Sequence, residues 1–278
     1  MEPDSFQIQI ENGRYQVLSR CIALLVVGLL ISFSFLARTP TAGSLFAAAS
    51  IAVLMLSVEF TADAGSQLSR RERWRIRRAP IAKAKVFREI GNVLIHAIVA
   101  WIALLVLLHP QNINSVTKEL LRIGAGVALL YASVAIIAGV IALLFMAAEY
   151  SLPPIHRHPI AARSVGEFWG RRWNIVVSAW LRTFVFMPIA NRNHIGLGIM
   201  LAFLVSGVLH GWLLLFPVGV WAALSQLLFF LIQGVVVLAE NRLRIHTWPV
   251  AAARAWTLII LLASSPLFIE PGLRLFGL

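Results

Sequence analysis

The chain has 278 residues, of which 59% are hydrophobic and only 13% are charged. Because a soluble domain carries charge on about a quarter of its residues, this composition excludes an ordinary soluble domain and predicts a chain embedded in lipid. The formal net charge of +12 is typical of topology-setting Lys and Arg in a membrane protein, so we expect no nucleic-acid partner. The single cysteine, Cys21, excludes an intramolecular disulfide, and no Cys/His spacing predicts a metal site.

Apolar runs of roughly 20 residues are long enough to cross a bilayer as helices. Seven such runs are present, at residues 21–37, 41–60, 90–108, 123–148, 195–216, 218–239 and 255–269. An eighth segment, residues 175–190, contains Arg182 and Pro188, so it is predicted to be a short re-entrant, buried or interfacial helix. The predicted fold is an all-α polytopic bundle of about seven or eight transmembrane helices, forming a single membrane domain over residues 1–278.

Basic residues predict the orientation of these spans. If the N-terminus is cytoplasmic and residues 175–190 do not cross, 20 of the 24 Lys and Arg residues lie on the cytoplasmic side. This pattern suits a bacterial inner membrane or the endoplasmic reticulum. The acidic residues Glu2, Asp4 and Glu11 precede the first run, which is therefore predicted to be a retained helix rather than a signal peptide.

Two basic segments have more than one interpretation. Residues 69–89 interleave Arg with Trp74 and Ile76, so they are predicted to rest on anionic lipid, to meet a phosphate-bearing substrate, or both. The string GEFWGRRWN begins at Gly166 and is dense in Trp, Arg and other polar residues. Such a cluster is typical of an interfacial anchor with snorkelling arginines, and it is also a candidate binding site.

His210 lies inside the apolar run FLVSGVLHGWLLLF, about 20 Å from its cytoplasmic start at 1.5 Å per residue. An imidazole at this depth needs a partner or a cavity, so it either bonds a neighbouring helix or exchanges protons with a substrate. Gly207 and Gly211 are predicted to let another helix approach closely. A second histidine in a span, His96, has no motif around it and is predicted to be structural.

Residues 159–188, PIAARSVGEFWGRRWNIVVSAWLRTFVFMP, and the later FLVSGVLHG resemble the wax synthase-like branch of the membrane-bound O-acyltransferases. Members of that branch carry Ser–Leu–x–Asp–Phe–Trp–Gly–Arg–Arg–Trp–Asn, then Leu–Arg and Val–Tyr–x–Pro, then Ser–Gly–x–x–His. The wax synthase-like core is predicted at about residues 155–240. Glu167 replaces the usual Asp, Phe186 replaces the usual Tyr, and Gly211 stands where many members have Glu.

The resemblance implies transfer of an acyl chain from acyl-CoA, as co-substrate, to a lipid alcohol within the membrane lipids, with no other cofactor. It implies that His210 is the general base and Asn174 the second catalytic residue. The residues assigned to substrate binding are Glu167, Trp169, Arg171, Arg172, Trp173, Arg182 and Ser206. The alternatives are a lipid or solute transporter, which the lack of an acidic ion relay disfavours, and a non-catalytic membrane scaffold. The sequence predicts no particular oligomeric state.

Overall fold

The structure is a computed structural model that describes residues 26–31, 39–63, 77–78, 80–109 and 114–278. Besides helical residues 26–31, five of its helices are long and apolar enough to cross a membrane. They are α1 (Pro40–Asp63), α2 (Lys83–Leu108), α3 (Ser115–Ala147), α6 (Ile195–Leu215) and α7 (Val220–Leu243). Most of the predicted first run, Cys21 and the basic residues 69–76 lie outside the described residues.

Four shorter helices form two bent pairs. They are α4 (Val165–Arg172), α5 (Ile175–Ala190), α8 (Val250–Ser264) and α9 (Pro266–Leu275). The axes of α4 and α5 meet at 99°, which makes them a broken or re-entrant segment rather than one straight span. The described part therefore holds five spans, or seven if each bent pair is counted as one. The predicted all-α polytopic fold is confirmed.

The last predicted span, residues 255–269, is not one straight helix. The structure breaks it at Ser265, with a bend of 47° between α8 and α9. Pro266 is the first residue of α9, and its ring nitrogen has no N–H to continue the hydrogen bonds of α8. Side chains of α7 bind the backbone that follows, because Ser225 Oγ and Gln226 Nε2 donate to the carbonyl oxygens of Leu267 and Phe268 at 2.7 and 2.9 Å.

Two hairpins organise the bundle. Helices α2 and α3 pack as one antiparallel pair, and α6 and α7 as another. The first pair is joined to the rest by an ion pair between Arg122 on α3 and Glu270 on α9, with Nε and Oε1 2.9 Å apart. A ladder of two residues per strand, β1 (Arg77–Arg78) with β2 (Tyr150–Ser151), closes its other end.

Small residues let α6 and α7 approach closely, as the sequence predicts. A methyl group added at Gly211 would lie 2.9 Å from the carbonyl oxygen of Ala223, and one at Gly207 would lie 3.1 Å from the Cα of Leu227. Position 211 therefore faces the backbone of α7, where a larger side chain does not fit. The glycine that replaces the usual Glu serves helix packing in this chain.

We expect Gly211→Ala to destabilise the bundle, because α6 and α7 must separate to admit the methyl group. Overpacking of this kind costs about 1–3 kcal/mol, and we expect a lower unfolding temperature in detergent. The matched control is Gly272→Ala in α9, where an added Cβ meets nothing within 4 Å. Equal unfolding temperatures for the two variants would show that the α6–α7 contact is not as close as the structure has it.

Candidate active site

A cavity of about 460 Å³ lies between α4, α5, α6 and α7, within the size range of small-molecule sites. On α6 its wall consists of residues three or four apart, which share one helix face, together with Phe203 beside them. From Ile199 to His210 this wall is about 16 Å long at 1.5 Å per residue. The cavity brings together seven of the nine predicted site residues, namely Trp169, Arg171, Trp173, Asn174, Arg182, Ser206 and His210.

A backbone hydrogen bond and two aromatic rings orient the side chain of His210. Its Nδ1 lies 2.8 Å from the backbone oxygen of Ser206, one turn earlier. Because a carbonyl oxygen only accepts hydrogen bonds, Nδ1 carries a proton, and in the neutral ring Nε2 then keeps its lone pair. The rings of Phe230 and Phe268 pack against the imidazole, with centroids 4.5 and 5.6 Å away. This environment fixes both the orientation and the tautomer that a general base needs.

Asn174 joins α4 to α5 and lines the cavity. Its backbone is left-handed, with φ at 37°, a conformation that asparagine tolerates better than most residues. Its Oδ1 accepts a hydrogen bond from Val177 N at 3.4 Å and caps α5. The cap directs Oδ1 toward the helix, so the amide nitrogen Nδ2, which has no hydrogen-bond partner among the described residues, is the group left for a ligand.

Glu167 and Arg172, the other two predicted site residues, do not line the cavity. Arg172 Nε and Nη2 each lie 2.7 Å from Glu167 Oε1, and Nη1 donates to the carbonyl oxygens of Arg157 and His158 at 3.2 Å. Glu167 Oε2 accepts from Arg163 N at 2.7 Å. These bonds fold the preceding loop against α4, and the substrate-binding role assigned to both residues stays a prediction.

Arg171 and Arg182 stand at the open edge of the cavity. Both line it and both are exposed. Within the described ranges neither guanidinium forms an ion pair. Two unpaired cations at the rim of a largely apolar cavity are suited to an anionic ligand, because arginine binds phosphate oxygens in a bidentate manner.

A buried carboxylate near the C-terminal end of α7 anchors α4. Glu240 on α7 is 5% exposed, and its two oxygens accept from Val165 N at 2.7 Å and Gly166 N at 3.0 Å. Trp256 Nε1 on α8 donates to Oε1 at 3.0 Å. An anion at a helix N-terminus is stabilised by the free N–H groups there. Glu240 thus fixes the start of the helix that carries Trp169 and Arg171.

A second polar contact fixes the middle of α4. Trp169 Nε1 donates to Gln233 Oε1 at 3.2 Å, and Gln233 Nε2 donates to Ser264 Oγ at 2.8 Å. Gln233 is fully buried. The residues Phe168–Arg172 of α4 form a π-helical turn, and such turns frequently occur at functional sites. Neither Gln233 nor Ser264 belongs to a sequence motif, so only the packing of α4 on α7 and α8 identifies them.

Together these features describe a polytopic helical membrane protein with a histidine and an asparagine facing one cavity inside the bundle. Residues 152–232 match the membrane bound O-acyl transferase family, and the predicted resemblance to its wax synthase-like branch is confirmed. Similar proteins in Arabidopsis thaliana include a "probable long-chain-alcohol O-fatty-acyltransferase 3", 32% identical over 48% of this chain and 43% of its own length. The "probable long-chain-alcohol O-fatty-acyltransferase 9" is 28% identical over 60% and 55%.

An "acyl-CoA–sterol O-acyltransferase 1" of the same plant is 31% identical over 33% of this chain and 29% of its own length. The chain thus spans only about half, or less, of the length of these curated relatives. The family match, residues 152–232, covers most of the residues that line the cavity.

Proposed function

We propose that this chain is an O-acyltransferase that moves an acyl group from acyl-CoA to the hydroxyl of a lipid alcohol. The observation that carries the proposal is the pairing, in one cavity, of a proton acceptor and a hydrogen-bond donor. These are His210 Nε2, which is unprotonated in the neutral ring because Nδ1 donates to Ser206, and Asn174 Nδ2, left free by the helix cap. The names of the plant relatives support the same reaction class.

In the proposed reaction, His210 Nε2 takes the proton of the alcohol as the alcohol oxygen attacks the thioester carbonyl carbon. The carbonyl oxygen gains negative charge, which Asn174 Nδ2–H stabilises by a hydrogen bond. The carbon–sulfur bond then breaks, and the departing CoA thiolate takes the proton from the imidazolium. The products are an ester and free CoA. No covalent acyl-enzyme is required, and the apolar cavity wall favours an alcohol over water as the nucleophile.

The charged part of the donor is assigned to the cavity rim. CoA carries phosphate groups, and Arg171 and Arg182 are the unpaired cations that the described structure places at the cavity. We place the cavity opening on the cytoplasmic side, together with the N-terminus, because the positive-inside rule gives that orientation. The alcohol and the acyl chain come from the lipid phase, in a bacterial inner membrane or the endoplasmic reticulum.

The two adjacent arginines are expected to respond differently to substitution by glutamine. Arg171→Gln is expected to raise the KM for palmitoyl-CoA roughly tenfold, equivalent to about 1.4 kcal/mol, and to leave the unfolding temperature unchanged. Arg172→Gln is expected to lower the unfolding temperature, because it leaves Glu167 and the two backbone carbonyl oxygens without their donor.

Steady-state kinetics and thermal unfolding of the two purified variants, measured in parallel, check this pair of predictions. Arg192→Gln serves as the control, because Arg192 is exposed and does not line the cavity. An Arg172→Gln protein of normal stability and raised KM would contradict this expectation and support substrate binding by Arg172.

The proposal is tested by supplying labelled palmitoyl-CoA to membranes that contain the chain and to membranes that do not. The acceptor panel holds long-chain alcohols, a sterol, a monoacylglycerol and diacylglycerol, and the esters are identified by mass spectrometry. An ester formed only in the presence of the chain supports the proposal and identifies the acceptor. A folded protein that forms no ester and does not bind palmitoyl-CoA would instead support a non-catalytic scaffold.

A further inference from the structure

Three hydrogen bonds, here called the clasp, connect residues 155–157, which precede α4, to residues 172–175 at the junction of α4 and α5. Arg157 N donates to the carbonyl oxygen of Arg172 at 2.8 Å, and Ile175 N donates to that of Ile155 at 2.9 Å. Between these two backbone bonds, Asn174 N donates to the ring nitrogen Nδ1 of His156 at 3.2 Å. The side chain of His156, 18 residues upstream, therefore accepts a hydrogen bond from the backbone N–H of the cavity residue Asn174.

This hydrogen bond requires one particular form of His156. Nδ1 accepts only if it is unprotonated, so the proton of the neutral ring is on Nε2. Burial lowers the pKa of His156 from about 6.5 to about 4, with a smaller contribution from His96, so the ring is neutral at neutral pH. The imidazole also packs against Trp173, with ring centroids 4.4 Å apart and the ring planes tilted by 35°.

The unusual backbone of Asn174 explains why such a clasp is useful. With φ at 37°, Asn174 is in a conformation that is unfavourable for a residue with a Cβ and that persists only when the surroundings impose it. Its Oδ1 caps α5 from that conformation, and Nδ2 of this cavity-lining side chain has no hydrogen-bond partner among the described residues. The bond from Asn174 N to His156 is thus one of the constraints that orient the amide donor.

We propose that His156 is a positioning residue for acyl transfer, which holds Asn174 in its left-handed conformation through Nδ1 so that the amide N–H faces the thioester carbonyl. The inference rests on the proposed function. His156 does not line the cavity, so it acts through Asn174 and not on the substrate. Packing against Trp173 would need only an aromatic ring at position 156, whereas positioning needs an acceptor atom.

Two substitutions separate the acceptor from the ring. His156→Phe keeps a ring against Trp173 but has no acceptor, and His156→Asn loses the ring but places an amide oxygen near the position of Nδ1. We expect His156→Phe to lower kcat by roughly 10- to 100-fold, since small displacements of a catalytic group have effects of that order, with the KM for palmitoyl-CoA within twofold of wild type. We expect His156→Asn to recover most of the lost kcat.

The control is His194→Phe, because His194 is exposed and makes no side-chain capping bond. It is expected to keep the wild-type kcat. Wild-type kcat in His156→Phe, or a kcat in His156→Asn as low as in His156→Phe, would overturn the inference.

Hydrogen exchange tests the same inference without relying on catalysis. The backbone N–H groups of Asn174, Val177 and Ser178 are all bonded through this junction. We expect them to exchange faster in His156→Phe than in wild type or His156→Asn, while peptides from α6 and α7 stay equally protected in all three proteins. If that pattern holds but the wild type makes no ester, the proposed function is wrong, whereas the role of His156 in holding Asn174 is supported. Equal exchange rates at the junction in all three proteins would contradict the role of His156 in holding Asn174, even if the enzyme were active.

Discussion

Purified His210→Asn protein is expected to form ester at least 10²-fold, and up to 10⁴-fold, more slowly than wild type, the range contributed by a positioned general base. The asparagine amide can still donate to the carbonyl oxygen of Ser206, which in the native protein lies 2.8 Å from Nδ1. It has no group that takes a proton near neutral pH. The local hydrogen bond is therefore kept while the base is lost, and the unfolding temperature is expected to stay near that of wild type.

His96→Asn is the matched control for this substitution. His96 also lies in a spanning helix, and its Nδ1 bonds the backbone oxygen of Asn92, one turn earlier, at 2.7 Å. It does not line the cavity. We expect this variant to keep the wild-type rate, as measured by ester formation from labelled palmitoyl-CoA under single-turnover conditions. A His210→Asn protein as active as His96→Asn would remove His210 from the chemistry.

Asn174→Asp is expected to have the second largest effect. Aspartate caps helices as well as asparagine does, so the bond from Val177 N and the start of α5 are expected to survive. The substitution removes the Nδ2–H donor and places a carboxylate where negative charge develops on the substrate oxygen. Loss of one donor to such an oxygen lowers kcat by about 10²–10³, and we expect a decrease of at least that order at saturating palmitoyl-CoA.

The chain offers a close control for this variant as well. Asn193, between α5 and α6, also has a left-handed backbone, with φ at 63°, but it is exposed and lies outside the cavity wall. Asn193→Asp is expected to leave kcat unchanged. If Asn174→Asp were also unchanged, Asn174 would be a helix cap and nothing more, and the donor to the substrate oxygen would have to come from another group.

The spans were predictable because bilayer thickness sets a minimum length for an apolar helix. The breaks within them were only partly predictable. Pro266 signals the end of a helix by its missing N–H, yet it lies inside an apolar run whose length predicts a span. The bend of 99° between α4 and α5 coincides with the left-handed Asn174, whose backbone N–H bonds a side chain 18 residues upstream.

The candidate site, too, could be predicted only in part from the sequence. The motif with Asn174 and the intramembrane His210 identified the cavity residues, but it could not distinguish Arg171 from Arg172. That distinction depends on which guanidinium meets Glu167 and the carbonyl oxygens at positions 157 and 158. Glu240 is a further case, because its two backbone partners lie about 75 residues earlier in the chain. Such contacts follow from tertiary packing rather than from local sequence patterns.

The most direct test uses wild-type, His210→Asn and Asn174→Asp proteins purified into lipid nanodiscs. Palmitoyl-CoA binding and ester formation with the best acceptor are measured on the same samples. We expect the wild type to bind palmitoyl-CoA and make ester, and both variants to bind it within a few-fold of wild type while making at least 10² times less. Ester formation by both variants at the wild-type rate would contradict the assignment of the reaction to this cavity.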